Sequence, residues 1–444
     1  MDNQEPTNDI LDKIRQQFDS APYPKIPLET SPKNDYQSLY IHNLVTVYYV
    51  KNHQVIETQG KVILDAGCGS GYKSLILAEA NPGARIVGVD ISEESVKLAA
   101  LRLQHHGFKN AEFHAICIED LHLLDLQFDY INSDDVLYLL PDIVVGLQAF
   151  KSVLKPEGII RANVHSYFQR TSFYRAQELF KVMGLMDGNP GELEIELVRE
   201  IVKSLKDDVL LKQKTWGNDL DQDEERVLMN YLFQGDKGYT IPEVFAALRA
   251  ANLEFVRMVD GRSWEILELF KEADKLPEFL EISLPKLSVE EKLHLFELFH
   301  PVNRLLDFWC AHPNQAESFV PVSEWTLAQW QEVRVSLHPQ LRNDTARENL
   351  ISSIASRQPF EISRYLPLPR LLPVTVDCSM AACLLPLWDR PQSVISLVER
   401  WLLLRALDPV TLEPVSQKTA FDEVTEELRR LEIYLYVLLE RSKL

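Results

Sequence analysis

The chain is poor in cysteine, and no arrangement of its cysteines suggests chemistry. Cys68, Cys117, Cys310, Cys378 and Cys383 are scattered over 444 residues. An odd count without a C-x-x-C pair or a Cys/His cluster argues against a disulfide framework and a zinc site. No metal is expected, and reduced thiols point to the cytoplasm. Long apolar runs are also missing: no stretch approaches the length of a membrane span. The acidic start, Met1 to Phe18, lacks the apolar core of a secretory signal. There is no Lys/Arg run. With 46 basic against 66 acidic residues the formal net charge is -20, a field that repels nucleic-acid phosphates and anionic membrane surfaces. Internal repeats and low-complexity tracts are lacking as well.

What is present is a long, compositionally ordinary globular chain. Hydrophobic residues make up 46% and charged residues 25%, and the length implies two or three packed units. Residues 1–58 read as a polar lead-in with helices, Asp9 to Phe18 among them. Pro22 and Pro24 keep the chain extended around Tyr23. Apolar runs then alternate with helical periodicity. Strands are expected at 61–66, 85–90, 111–118, 128–133 and 158–164, and helices at 74–80, 92–106 and 143–154. Consecutive apolar positions in the strands indicate burial on both faces, hence a doubly wound, mostly parallel α/β sheet. The rhythm breaks at 166–238, which reads as a helical insertion. It returns with a helix at 242–251 and a strand at 253–259. From 283 to 444 a mostly helical domain is expected, with helix starts near Ser288 and Thr419 and a strand near 371–378.

The strongest local signal is Val62-Ile-Leu-Asp65-Ala-Gly67-Cys68-Gly69-Ser-Gly71. A buried strand ends in an acid and runs into a glycine turn that opens a helix. A nicotinamide-binding turn would read G-x-G-x-x-G. Here the third glycine comes one residue early, and an acid stands two residues before the first. A carboxylate there suits a cationic ligand better than a pyrophosphate.

This string resembles the first motif of class I S-adenosylmethionine-dependent methyltransferases. The resemblance implies a Rossmann-like sheet and a methyl-transfer enzyme with S-adenosylmethionine as cofactor. It assigns Gly67, Cys68 and Gly69 to the turn against the cofactor's amino-acid portion, and Asp65 to its ammonium group. Ile86-Val-Gly-Val-Asp90-Ile91 resembles the second motif, whose acid, here Asp90, accepts the ribose hydroxyls. Cys117-Ile118-Glu119-Asp120 stands where the family contacts adenine, so Ile118 and Glu119 are assigned there. Phe128 to Leu140 resembles the fourth strand and its loop, bringing in Ser133. Leu154-Lys-Pro156-Glu-Gly158 resembles the turn into the fifth strand, with Glu157 where glycine is common. Residues 59–282 would form this domain, with 166–238 as a lid.

The acceptor is less legible. His165, Asp134 and Tyr167 are the catalytic candidates, with Asp135 and Arg170 beside them; a general base is needed only if the nucleophile arrives protonated. The alternatives for Asp134 and Asp135 are helix caps, and for His165 a loop hydrogen bond. The acceptor is expected to be a small molecule or a protein side chain. Some protein-lysine methyltransferases carry a Pro-Tyr-Pro element ahead of the first motif and a large extra C-terminal domain, a layout similar to Pro22-Tyr23-Pro24 and residues 283–444. The rival readings are a non-catalytic cofactor-binding regulator and an RNA methyltransferase, the latter opposed by the net charge. No membrane association is expected. Self-association or a protein partner would fall to the C-terminal domain.

Overall fold

The computed structural model describes residues 15–16, 19, 23–217, 220, 223–315, 319–366 and 373–441. Pro22, most of the expected helix at 9–18 and the first residues of the expected strand at 371–378 lie outside them. The chain divides into two compact units. One comprises residues 1–28, 62–74 and 86–313; the other comprises 29–61, 75–85 and 314–444.

The first unit is built on an eight-stranded sheet. Its strands are β1 (Val62–Ala66), β2 (Arg85–Asp90), β3 (Ala111–Ala115), β4 (Phe128–Ser133), β5 (Leu154–Ser166), β6 (Gly238–Tyr239), β7 (Glu254–Met258) and β8 (Leu305–Ala311). They are ordered β3-β2-β1-β4-β5-β8-β7, with β6 paired to the end of β5. The pairs β2/β3, β1/β4, β4/β5 and β5/β6 are parallel, while β8 runs antiparallel to both β5 and β7. The consecutive apolar positions read from the sequence are buried on both faces: Ile63, Leu64, Ile131, Ile159 and Ile160 are each 0% exposed. Burial of each such side chain contributes roughly 1.5–3 kcal/mol.

Local chemistry sets the helix bounds. Ser92 caps the helix Glu93–His105 by accepting from the Ser95 N–H at 3.1 Å, with Glu93 and Glu94 in its first turn and Arg102 and His105 in its last. Charges so placed complement the helix dipole. Thr240 and Glu243 form a capping box on the helix Ile241–Ala250. The insertion contains the helices Tyr167–Val182, Glu192–Ser204, Leu210–Thr215 and Glu224–Tyr231, which bury Phe180, Val198, Val227 and Tyr231 in a small core of their own.

The sheet does not end where the sequence suggested. β8 lies beyond residue 282 yet is inserted between β5 and β7, so the first unit runs to Pro313. The strand, Leu-Leu-Asp-Phe-Trp-Cys-Ala, is a short and nearly continuous apolar run, which periodicity alone does not separate from a buried helical segment.

In the second unit the helices Asp344–Ser356, Val394–Leu404 and Gln417–Glu432 are joined by small sheets. A three-stranded antiparallel sheet is formed by β9 (Val333–Leu337), β12 (Gln392–Ser393) and β13 (Val437–Arg441), while β10 (Phe360–Glu361) pairs with β11 (Thr375–Val376). The last long helix starts earlier than Thr419: Ser416 is its cap, accepting from the Thr419 N–H. Residues 29–58 of the supposed lead-in belong here too, and Val45 and Tyr49 pack on Leu438.

His338, 0% exposed, is the buried ionisable group of this unit with the clearest consequence. Its Nδ1 accepts from the Gln340 N–H and its Nε2 faces Thr46 Oγ1 at 2.9 Å, an arrangement that suits the neutral ring. Burial lowers its pKa from 6.5 to about 3. The unfolded chain therefore takes up this proton below pH 6.5 while the folded chain does not. Stability is complete above the unfolded value and is lost as pH falls toward the folded one, by about 2 kcal/mol at pH 5. We expect the thermal midpoint to drop more between pH 7 and pH 5 in the wild type than in His338→Gln; equal drops would assign the pH dependence to other groups.

Candidate functional site

The loop after β1 is shaped by three left-handed glycines, Gly67, Gly69 and Gly71. A side chain at Gly69 would run into the Tyr23 carbonyl oxygen, and a Cβ on Gly71 would stand 2.5 Å from Ala99 Cα. Only glycine allows this combination of φ and close approach.

Every backbone N–H of the turn is already engaged. Gly67 and Cys68 donate to the Val89 carbonyl at 2.8 and 2.9 Å, Ser70 to the Tyr23 carbonyl at 2.8 Å, and Gly71 to the Cys68 carbonyl at 2.9 Å. Gly69 donates to Asp90 Oδ2 at 2.9 Å. A pyrophosphate site needs such N–H groups turned outward and unpaired. This loop offers none, and two acids flank it.

Asp65, 1% exposed at the end of β1, accepts from Ser74 Oγ at 2.6 Å and from Asn132 Nδ2 at 2.8 Å. Burial pushes its pKa up to about 6, although these two donors favour the anion. Asp90 closes β2 and also accepts from the Ser92 N–H at 2.9 Å. Burial raises its pKa, opposed by the Ser92 and Gly69 N–H groups. Ile91 follows it half-buried. Ile118 is buried and Glu119 half-buried in the short helix after β3. Ser133, 0% exposed at the end of β4, has a hydroxyl without a partner among the described residues. Cys68 is buried, and burial raises its thiol well above the ordinary value, which leaves it inert. The parallel strands deliver these groups to their carboxyl ends, the edge where open α/β sheets bind ligands.

A segment from the amino-terminal region is strapped over this turn. Ser70 Oγ donates to the Pro24 carbonyl at 2.8 Å. The buried Arg102 donates to the carbonyls of Ser70, Pro27 and Ile26 at 2.9, 2.9 and 2.7 Å. Tyr23 is thereby fixed near Asp135, Arg304 and Glu225. Burial and the Asp135 charge push its phenol up to about 12, so it stays protonated.

Beyond β4 the charges form two groups. In the first, Asp134 pairs with Lys73 at 2.8 Å and accepts from Asn163 at 2.5 Å and Arg161 at 3.4 Å. Arg161 also donates to Asn132 at 2.9 Å and to both Asp307 oxygens. Burial works against the Arg161 charge, but Asp134 and Asp307 prevail and raise its pKa. Asp134 is thus sealed in a structural network. In the second group, Asp135 sits at a positive φ of 58°, its N–H donating to Asn163 Oδ1 at 2.8 Å. Arg304 donates to its two oxygens at 2.9 and 3.2 Å.

His165 is 2% exposed and has both nitrogens occupied: Nδ1 meets Asp236 at 2.6 Å and Nε2 meets Arg304 at 2.9 Å. Tyr138 stacks on its ring with centroids 3.9 Å apart. Burial lowers the His165 pKa, with Asp236 opposing and Arg170 and Arg304 adding to the fall. Asp236 also accepts from Arg170 at 2.6 Å and Gln177 at 2.9 Å. Burial alone would raise Asp236, but His165, Arg170 and Gln177 hold it at about 2. Neither nitrogen of His165 is free to take a substrate proton, which removes the geometry a general base requires. Tyr167 is 47% exposed; its ring meets Phe168 edge to face and stacks on Tyr174, both on its own helix. Neither Asp134 nor Asp135 caps a helix.

Arg304, Asp236 and Tyr23 are the groups that sequence reasoning did not assign to the site. Arg304 fell in the segment given to another domain, and Asp236 in the insertion. The proline-flanked Tyr23 was the one visible signal. No metal-binding group of His, Cys, Asp or Glu occurs among the described residues. No helix among them is long and apolar enough to cross a membrane.

Residues 57–230 match the family model of a methyltransferase domain. An uncharacterised protein of Synechococcus sp. is 26% identical over 316 residues, which is 70% of this chain and 72% of that protein. The ubiquinone biosynthesis O-methyltransferase of Idiomarina loihiensis is 34% identical over 132 residues, 29% of this chain and 52% of the enzyme. The match thus spans about half of that enzyme. PKMT2 from Rickettsia typhi shares the fold with a TM-score of 0.58 and 15% identity, covering 92% of this chain and 76% of that one. Its complex with AdoHcy aligns with a TM-score of 0.57 and 16% identity.

Proposed function

We propose that residues 57–230, which match a methyltransferase domain, act as a class I, S-adenosylmethionine-dependent enzyme that methylates an amino group on a protein side chain. The observation that supports this reading is the charge around Tyr23. Tyr23 lies in the field of Asp135, Glu225 and Asp134, and the nearby cation, Arg304, is already paired with Asp135. Such surroundings attract a cationic acceptor. The strap around Tyr23 and Pro24 adds structural content to the Pro-Tyr-Pro layout similar to that of protein-lysine methyltransferases.

Asp90 would hold the cofactor's ribose, Asp65 and the glycine turn its amino-acid end, and Ile118, Glu119 and Ser133 the adenine side. The fully engaged turn fits this cofactor better than a nucleotide phosphate. When bound, the cofactor supplies an electrophilic methyl group on a good leaving group. The chain's own residues position the acceptor and exclude water. A protonated amine has no lone pair to offer, so it must first lose its proton. In this reading Asp135, oriented by Arg304, accepts that ammonium's hydrogen bond and holds the acceptor while its proton passes to water. His165 and Asp236 act one step back as positioning residues for Arg304. Tyr23, held as the phenol, can donate to or accept from the acceptor without carrying charge.

The test uses labelled S-adenosylmethionine with a total protein extract and with polylysine as acceptors. Acid-stable N-methyl-lysine is expected, reduced roughly a hundredfold in Asp135→Asn and in Tyr23→Phe, with S-adenosylhomocysteine affinity held within about threefold. Label confined to small molecules, or to methyl esters or ethers, would overturn the reading.

A further inference from the structure

The second unit holds a cavity of 390 Å³ between the helices Leu327–Gln331 and Gln417–Glu432. Three aromatic rings, Trp325, Trp330 and Phe421, line it together with Asp422, Glu426 and Arg429. Phe421, Asp422, Glu426 and Arg429 recur at helical spacing, so one face of the longer helix supplies them. Trp325 and Trp330 meet edge to face with centroids 5.2 Å apart. The Arg429 guanidinium lies 5.2 Å from the Trp330 ring centre.

Two donors here are unsatisfied. Trp330 is 1% exposed, and neither its indole N–H nor Arg429 Nε has a hydrogen-bond partner among the described residues. Trp325, by contrast, donates to the Val320 carbonyl at 2.8 Å. A buried donor left unpaired costs about 1–3 kcal/mol, so its persistence calls for an acceptor. Asp422 and Glu426 are exposed, and the cavity's one cation already faces an indole.

We propose that this cavity binds a lysine- or arginine-bearing peptide segment. A peptide carbonyl would satisfy the two donors. The basic side chain would lie against the aromatic walls, where a cation is attracted to the ring faces, with its charge between Asp422 and Glu426. An acidic peptide would meet both carboxylates, and a nucleic acid would also meet the chain's net charge of -20. Every residue that lines the cavity belongs to the second unit.

The experiment titrates the full chain with hexalysine and with hexaglutamate by calorimetry and tryptophan fluorescence, at about 0.15 M salt to screen non-specific attraction. Saturable hexalysine binding is expected. It should weaken at least about tenfold in Asp422→Asn/Glu426→Gln and in Trp325→Ala, while S-adenosylhomocysteine binding is unchanged. The carboxylate variant alters two exposed residues, so it decides the matter even if Trp325→Ala fails to fold. Equal hexalysine affinity in that variant, absence of hexalysine binding, or hexaglutamate binding as tight as hexalysine would overturn the proposal.

Discussion

A chain ending at residue 282 is expected to be insoluble. The cut removes β8, which pairs with β5 along seven residues, from Ile159 opposite Ala311 to His165 opposite Leu305, and which alone connects β7 to the sheet. Leu306 and Phe308 are each 1% exposed and Trp309 is 2% exposed. Losing three such side chains forfeits roughly 5–9 kcal/mol of burial, comparable with the whole stability of a typical domain. The deletion also strips Arg161 of Asp307 and leaves it Asp134, at 3.4 Å, as a carboxylate partner, and removing one partner of a buried ion pair costs several kcal/mol. β5 would be left as a long apolar edge open to aggregation. A chain ending at residue 313 keeps the sheet. It should bind S-adenosylhomocysteine, although Val45 and Tyr49 lose Leu438 from their core and its solubility should suffer. Soluble yield and calorimetry of the two truncations check this. A soluble, cofactor-binding 1–282 fragment would refute the account of the sheet.

The second large effect is expected at Asp90. Its two oxygens accept from the Gly69 and Ser92 N–H groups, both at 2.9 Å, so it ties the end of β2 to the glycine turn. It is also the carboxylate proposed to hold the ribose. Asp90→Ala removes a charged acceptor from both N–H groups, each bond contributing about 1.5–3 kcal/mol. It also removes the ribose contact. S-adenosylhomocysteine affinity should fall at least about a hundredfold. Asp90→Asn keeps one acceptor oxygen and should fall in between. Calorimetry on folded variants measures both; wild-type affinity in Asp90→Ala would remove Asp90 from the site.

Some of this was legible before any coordinates because it depends on local constraints. Asp65, Gly67, Gly69 and Asp90 stand at the ends of two early strands, and strand, turn and helix start are each written in a few consecutive residues. The acceptor side is different. Arg304 meets His165 across 139 positions of sequence and Asp135 across 169, and Asp236 meets His165 across 71. Nothing in the immediate neighbourhood of Arg304 marks it as a partner of either residue. His165 stood open between a base and a loop hydrogen bond for the same reason: its sequence neighbours could not reveal that its nitrogens meet Asp236 and Arg304.

The sequence by itself determined the alternating α/β rhythm, the glycine turn and the acids around it, because periodicity and backbone permissiveness act over a few residues. Only the tertiary structure decided that residues 305–311 complete the sheet and that residues 29–61 join the C-terminal unit. It also decided that Asp134 is buried among Lys73, Asn163 and Arg161 while Asp135 stays partly exposed beside Arg304. Those outcomes depend on which distant segments bury one another's apolar faces and neutralise one another's charges, and short-range patterns carry no record of that pairing.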